Sequence, residues 1–233
     1  MPATTEKSAL LRGALSTLPF VIVLVPFALL FGVVATEAGL NVAETMGFSV
    51  LVIAGAAQFT AIQLMSENAP VWIVLAASLG VNLRMAMYSA ALQPHLGELP
   101  LRKRAFASYT LFDQNFATAS VEFEDSPDQT VLDRYLFLMG GAIPMFPLWI
   151  SFTWIGAVAG DLIPEWLELD FALPILFLAI VAPMLKTLAH LGAAFTSIVV
   201  ALLLGFLPSG TGVLLAGLCA MAVGAEIERR RGR

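Results

Sequence analysis

The sequence predicts an all-α, polytopic membrane helix bundle with six to eight membrane segments, some of them broken or re-entrant. Three observations support this fold class. Hydrophobic residues make up 59% of the chain and charged residues only 12%, whereas a soluble domain has about 25% charged residues. The apolar residues form windows of about 20, the length that a helix needs to cross a hydrocarbon core. Nothing shows the two-residue alternation of transmembrane β-strands.

These windows give the positions of the membrane segments, which we predict to form a single transmembrane domain, residues 1–233. Six windows are clear: 15–37, 71–92, 135–159, 171–187, 190–207 and 211–228. The first is longer than the core of a signal peptide, so we interpret it as a retained span. Two further windows are softer, since 46–65 carries Gly55 and Gln58 in its middle and 105–121 is centred on Asp113. We expect at least one of these two to be broken or re-entrant.

Lysine and arginine outside the spans predict the orientation. Basic residues lie near both ends of the chain and at Arg102–Arg104, which places both termini in the cytoplasm and requires an even number of crossings. Eight crossings would put Arg102–Arg104 outside, against the positive-inside rule. Six crossings, with the two soft segments returning as hairpins, would put every basic cluster inside. The charge bias favours six and the apolar length favours eight.

Two features suit interrupted helices around a polar site, as in many transporters. Prolines fall within or at the edges of the spans, at Pro19, Pro26, Pro144, Pro147, Pro174 and Pro183. Ordinary kinking is the alternative explanation, because proline is common in membrane helices. Residues 47–64 also align with 170–188 as an internal repeat; any two apolar helices align to some degree, so the repeat stays open.

Arg84 is the one formally charged residue between positions 71 and 92. An arginine at the bilayer centre costs at least ~2.5–3.5 kcal/mol, so it faces the protein interior and has a partner. Asp113 has the opposite charge and a similar position, and we predict that the two pair. One interpretation is a permanent ion pair that only fixes the fold. The other is a site for a small dipolar ligand, in which Arg84 binds a carboxylate and Asp113 accepts an ammonium group or carries a coupling proton.

Neighbouring side chains extend this candidate site. Tyr88 lies one helical turn from Arg84 on the same face, whereas Asn82 points largely elsewhere unless the helix is unwound. Gly55 and Gln58 share a face of the soft segment 46–65, where the backbone can be approached closely beside one amide. For Gln58 the alternative is an interhelical hydrogen bond.

Several other classes of function lack support. The sequence contains no phosphate-binding loop of the G-x-x-x-x-G-K-[ST] type and no basic stripe for nucleic acid. We predict no metal site, no cofactor and no enzymatic activity. The single cysteine, Cys219, has no partner for an internal disulfide, and its apolar surroundings predict a small buried hydrophobic residue.

At these residues the sequence resembles the AzlC-type branched-chain amino acid permeases, the azaleucine resistance family. The resemblance spans nearly the whole chain, in order and at family-like spacing. It rests on LPFVIVLVPFALLFG (18–32), AGAAQFTA (54–61), VNLRMAMYSAAL (81–92), FDQNFA (112–117) and LDFALPILF (169–177). The combination of AGAAQF and NLR is moderately specific, and any single stretch is weak.

The resemblance implies a secondary transporter that exports branched-chain amino acids (valine, leucine, isoleucine) across the bacterial inner membrane, together with a small AzlD-type membrane subunit. It also makes Gln58, Asn82, Arg84 and Asp113 site candidates. One departure is Gln114, where the resemblance implies a second acidic residue that would bear on proton coupling. Two alternatives stay open: a structural or regulatory membrane subunit, and a channel or carrier for another small solute.

Overall fold

The computed structural model describes residues 6–160, 185–207 and 211–231. Those residues form helices joined by short connections, with no strand among them. In chain order the helices are α1 (Glu6–Thr17), α2 (Val21–Glu37), α3 (Val42–Val52), α4 (Gly55–Ser66), α5 (Val71–Leu96), α6 (Leu101–Tyr109), α7 (Asp113–Asp125), α8 (Val131–Gly160), α9 (Leu188–Leu203) and α10 (Thr211–Arg231). A single 3-10 turn, Leu18–Phe20, joins α1 to α2.

The fold class predicted from the sequence is confirmed as a helical membrane bundle. Within the described ranges, three helical stretches have the length and apolar character of membrane spans: Ser8–Glu37, Val71–Leu96 and Val131–Gly160. They match the predicted segments 15–37, 71–92 and 135–159 and extend them at their polar ends. The predicted segment 171–187 lies outside the described residues except for its last three, as does most of 170–188, the second half of the candidate repeat. The number of crossings stays a prediction.

Both soft segments are broken, so the expectation of at least one interruption is confirmed. Segment 46–65 becomes α3 and α4, which are separated by Ile53 in a left-handed conformation with φ of 37°. Segment 105–121 becomes α6 and α7, and Phe112 before α7 has an extended backbone. The hydroxyl of Tyr109, the last residue of α6, donates a hydrogen bond of 2.6 Å to the carbonyl of Val50 in the last turn of α3. The ends of two interrupted helices are therefore in contact.

The described residues group into two compact units, and the boundaries between them fall within α4 and α5. The first unit contains residues 6–59 and 79–160, and in it α1 and α2 pack along α8. Glycines allow this close approach: a Cβ added to Gly32 would clash with the Thr153 carbonyl, and one added to Gly156 would clash with the Leu29 carbonyl. Small residues at helix contacts are typical of membrane bundles. This frame holds the elements that carry the candidate site.

The second unit contains the described residues 60–78 and those after 184, and its main contact joins α9 to α10. Gly192 meets the side chain of Ile227 there. The prediction that Cys219 is buried is wrong, because its side chain is exposed on α10. In a membrane protein apolar residues face lipid as readily as they face the protein core, so apolar surroundings do not predict burial.

Candidate functional site

Arg84 and Asp113 form the ion pair that the sequence predicts. Nη1 of Arg84 lies 2.8 Å from Oδ2 of Asp113, which joins α5 to the first residue of α7. Their side chains are 29% and 40% exposed. The pair is therefore half-buried.

Tyr88 completes the coordination of the Asp113 carboxylate. Its hydroxyl donates a hydrogen bond of 3.1 Å to Oδ1 of Asp113, so each carboxylate oxygen has a different partner. The ring of Tyr88 stacks on Phe116 at a centroid distance of 4.1 Å and an interplanar angle of 10°. This stack fixes the position of the hydroxyl. The placement of Tyr88 on the face of Arg84 follows from the helical spacing of four residues.

The break before α7 determines the electrostatics at Asp113. Because α7 begins at Asp113, its carboxylate lies at the positive end of the helix dipole, which stabilises an anion there by about 0.3–1 kcal/mol. Asn115 holds this break in place: its Nδ2 donates to the carbonyl of Leu138 in α8 at 3.0 Å and faces the carbonyl of Thr110 at 3.4 Å. A fully buried amide thus anchors the end of α7 that carries the acid.

Three buried side-chain polar atoms on α5 have no hydrogen-bond partner among the described residues: Oγ of Ser78, Oδ1 of Asn82 and Nε of Arg84. The last two belong to predicted site residues. The ion pair uses Nη1 of the guanidinium, so the buried Nε donates to neither oxygen of Asp113. Asn82 lies two residues from Arg84 and therefore on nearly the opposite side of the helix. No described contact brings it to the pair.

Gln58 belongs to a second, separate polar group. Its Nε2 donates to Oγ of Ser49 at 3.3 Å, its Oε1 accepts from the backbone N–H of Ala54 at 3.2 Å, and Ser49 donates in turn to Oγ1 of Thr153 at 3.3 Å. The three side chains are fully buried. They link α4, α3 and α8 across the first break, which favours the interhelical hydrogen bond among the two interpretations of Gln58.

Gly55 lies beside the same group, at the first residue of α4. A Cβ at this position would lie 3.1 Å from the ring of Trp149 and would also crowd the ring of Phe27. Phe27 and Phe59 in turn have ring centroids 4.8 Å apart. Glycine therefore allows the start of α4 to approach an aromatic cluster, and no described contact joins Gly55 to the ion pair.

Sequence reasoning missed several residues that shape the two groups. Phe116 lies one turn after Asp113, and that spacing was a usable signal. The contacts with α8 had no such signal, because Thr153, the partner of Ser49, and Leu138, the partner of Asn115, are far away in the chain.

The comparisons with known proteins agree with this architecture. The family model described as AzlC protein matches residues 19–163, which include α2 to α8. An uncharacterized membrane protein of Archaeoglobus fulgidus is 31% identical over 219 residues, covering 91% of this chain and 93% of that protein. The inner membrane protein YgaZ of Escherichia coli is 27% identical over 179 residues, covering 74% of this chain and 72% of that protein. No solved structure matches significantly. This chain is a membrane protein of the AzlC family.

Proposed function

We propose that this protein is the large subunit of a secondary transporter that exports branched-chain amino acids across the bacterial inner membrane, coupled to protons. The resemblance described above supports the substrate class, and the name of YgaZ, an inner membrane protein, supports the location. Both termini are proposed to be cytoplasmic, from the basic residues near each end.

The half-buried ion pair between Arg84 and Asp113 carries this proposal. A guanidinium is able to bind a carboxylate through two donors at once, a two-pronged geometry that lysine lacks. Asp113 is an acceptor for an ammonium group. The two residues together match the two ends of an α-amino acid. The hydroxyl of Tyr88 donates a hydrogen bond to Asp113 and so positions the Asp113 carboxylate.

A proton on Asp113 would couple binding to transport. Protonation of Asp113 would remove the carboxylate that accepts the substrate ammonium, which favours substrate release. Loss of that proton in the cytoplasm would restore the carboxylate and favour binding, so that proton and substrate move in opposite directions, as export requires. Gln58 and Gly55 are proposed to act on the substrate through the shape of the broken segment, and Asn82 to accept a hydrogen bond when α5 rearranges.

The test of coupling is Asp113→Asn, which keeps the size of the side chain and removes its titration. In proteoliposomes that contain the full chain and its partner, the parent is expected to accumulate labelled leucine against its gradient when a proton gradient is imposed. Asp113→Asn should lose this accumulation, whereas leucine–leucine counterflow at fixed pH should persist at a reduced rate. Gradient-driven accumulation by Asp113→Asn would contradict the role of Asp113. Counterflow by neither protein would contradict the transport proposal itself.

A structural or regulatory subunit is the second candidate, because the same ion pair is also able to lock α5 against α7. The double variant Arg84→Asp with Asp113→Arg separates the two functions. A lock works in either polarity, so the swap would restore both folding and activity. A ligand site has fixed polarity, and we expect the swap to restore thermal stability in detergent without restoring leucine counterflow.

The proposed partner is a small membrane subunit of the AzlD type. Co-expression of this chain with a short hydrophobic protein encoded beside its gene, followed by affinity purification, tests the pairing. A channel or a carrier for another solute would instead show flux that does not saturate, or that fails to discriminate leucine from glycine.

A further inference from the structure

A cavity of about 310 Å³ lies in the first unit, between the second half of α5 and the length of α6. Sites that bind drug-sized molecules range from about 300 to 1,000 Å³, so this one suits a small ligand. Its walls are mainly apolar, with Leu92 and Leu96 from α5 and Leu138 from α8. The polar side chains in its wall are Ser89, Gln93, Arg104 and Ser108.

Arg104 gives the cavity its charge. It is exposed on the basic run Arg102–Arg104, and none of the described carboxylates forms an ion pair with it. The adjacent Lys103 is directed elsewhere, with its Nζ 5.5 Å from the centre of the Tyr135 ring. An unpaired guanidinium at an apolar cavity is complementary to an anionic group that carries an apolar body.

The position of the cavity relates it to the ion pair. The same two stretches of chain line both, since Ser89 follows Tyr88 directly on α5 and Ser108 lies five residues before Asp113. From Arg84 to Gln93 the helix rises about 14 Å, toward the connection that leads into α6, whose first turn carries the basic run. The cavity therefore lies nearer to the basic run than the ion pair does.

We propose that this cavity is the entry site for the transported molecule, and that it takes small carboxylates with a branched apolar side chain. The role in transport rests on the proposed function, whereas binding of the carboxylate in the cavity is testable without transport. Arg104 binds the carboxylate and the three leucines contact the side chain. The ammonium group has no described acid at this site, so the cavity does not require it.

Thiol protection tests the binding. In a Cys219→Ser background, Ser108→Cys places the only thiol in the cavity wall, and Arg102→Cys places one on the same helix away from it. Leucine and 4-methylpentanoate, which keeps the carboxylate and branched chain but lacks the ammonium, should each slow maleimide labelling at position 108 by about threefold or more. Glycine should not slow labelling at position 108, and labelling at position 102 should not change with any of the three compounds.

Adding Arg104→Gln should remove the protection at position 108. Equal labelling rates with and without 4-methylpentanoate would overturn the inference and leave the proposed function standing.

Transport from the two sides provides the second measurement. Arg104→Gln and the cavity-filling Ala105→Trp are expected to raise KM by about tenfold for leucine presented on the side of the basic run, with kcat unchanged. From the opposite side kcat/KM should fall by the same factor, because a substitution does not change the equilibrium that transport in the two directions shares. Arg102→Gln, which removes the same charge outside the cavity, is the matched control. An unchanged KM in both cavity variants, in a preparation that transports leucine, would also overturn the inference.

Anionic lipid is the other source of a negative group on an apolar body. The labelling experiment is therefore repeated in vesicles of pure phosphatidylcholine and in vesicles with added phosphatidylglycerol. Protection by 4-methylpentanoate in both supports the entry site. Slow labelling that depends on phosphatidylglycerol and ignores the added carboxylate would assign the cavity to lipid and overturn the proposal.

Discussion

Arg84→Ala is expected to lower the rate of leucine counterflow by at least about 100-fold, because it removes a charged hydrogen-bond donor worth about 1.5–3 kcal/mol per bond. It also leaves the Asp113 carboxylate without its cation. Arg84→Lys should recover only a small part of the rate, since an ammonium group is a point charge and does not bind a carboxylate in two places. Counterflow of labelled leucine in proteoliposomes is the measurement.

Arg12→Ala is the matched control for this experiment. Arg12 forms a comparable ion pair with Glu122 of α7, at 3.0 Å and with side-chain exposures of 34% and 23%. Arg12→Ala removes an ion pair to α7, the helix that also carries Asp113, and leaves the candidate site unchanged. We expect Arg12→Ala to retain counterflow while both variants show similar modest losses of thermal stability. Equal transport by Arg84→Ala and Arg12→Ala would remove Arg84 from the site.

Gly156→Leu should have the largest effect on folding. The added side chain would be forced into the carbonyl of Leu29, where α2 and α8 are in backbone contact, and overpacking of this kind costs about 1–3 kcal/mol or more. We expect the midpoint of thermal unfolding in detergent to fall by about 10 °C and the yield of monodisperse protein to fall with it.

Gly47→Leu controls for the change of residue type. Gly47 lies within α3, and a Cβ added there meets nothing within 4 Å. This variant gains the same helix propensity, about 1 kcal/mol relative to glycine, without the clash. Its unfolding midpoint should equal or exceed that of the parent. If Gly156→Leu behaved in the same way, the close packing of α2 on α8 would not limit stability.

The candidate ion pair was predictable because charge is scarce in this chain. One arginine within an apolar window and one acid in a neighbouring segment leave few combinations, and the cost of an unpaired charge in the membrane selects among them. The two helix breaks were predictable for a related reason, since polar residues softened both windows. Both inferences needed only the local sequence.

Contacts between distant helices were not predictable in this way. The sequence does not indicate that Gly32 lies against Thr153, or that Ser49 forms a hydrogen bond with Thr153. Both contacts depend on how α2, α3 and α8 pack. The burial of individual side chains was not predictable from hydropathy either. Ile22 is 81% and Leu51 is 79% exposed, although both lie in strongly apolar windows. The bilayer accepts the same side chains as the protein core, so composition does not separate them.

The hydroxyl of Tyr109 that bonds to the Val50 carbonyl gives the two interrupted segments a common anchor. This hydrogen bond couples the final turn of α6 to the final turn of α3. In the proposed transport cycle, a rearrangement that starts at Asp113 would therefore reach the region of Ile53 as well. Alternation of the binding site between the two sides of the membrane would therefore involve both interruptions at once.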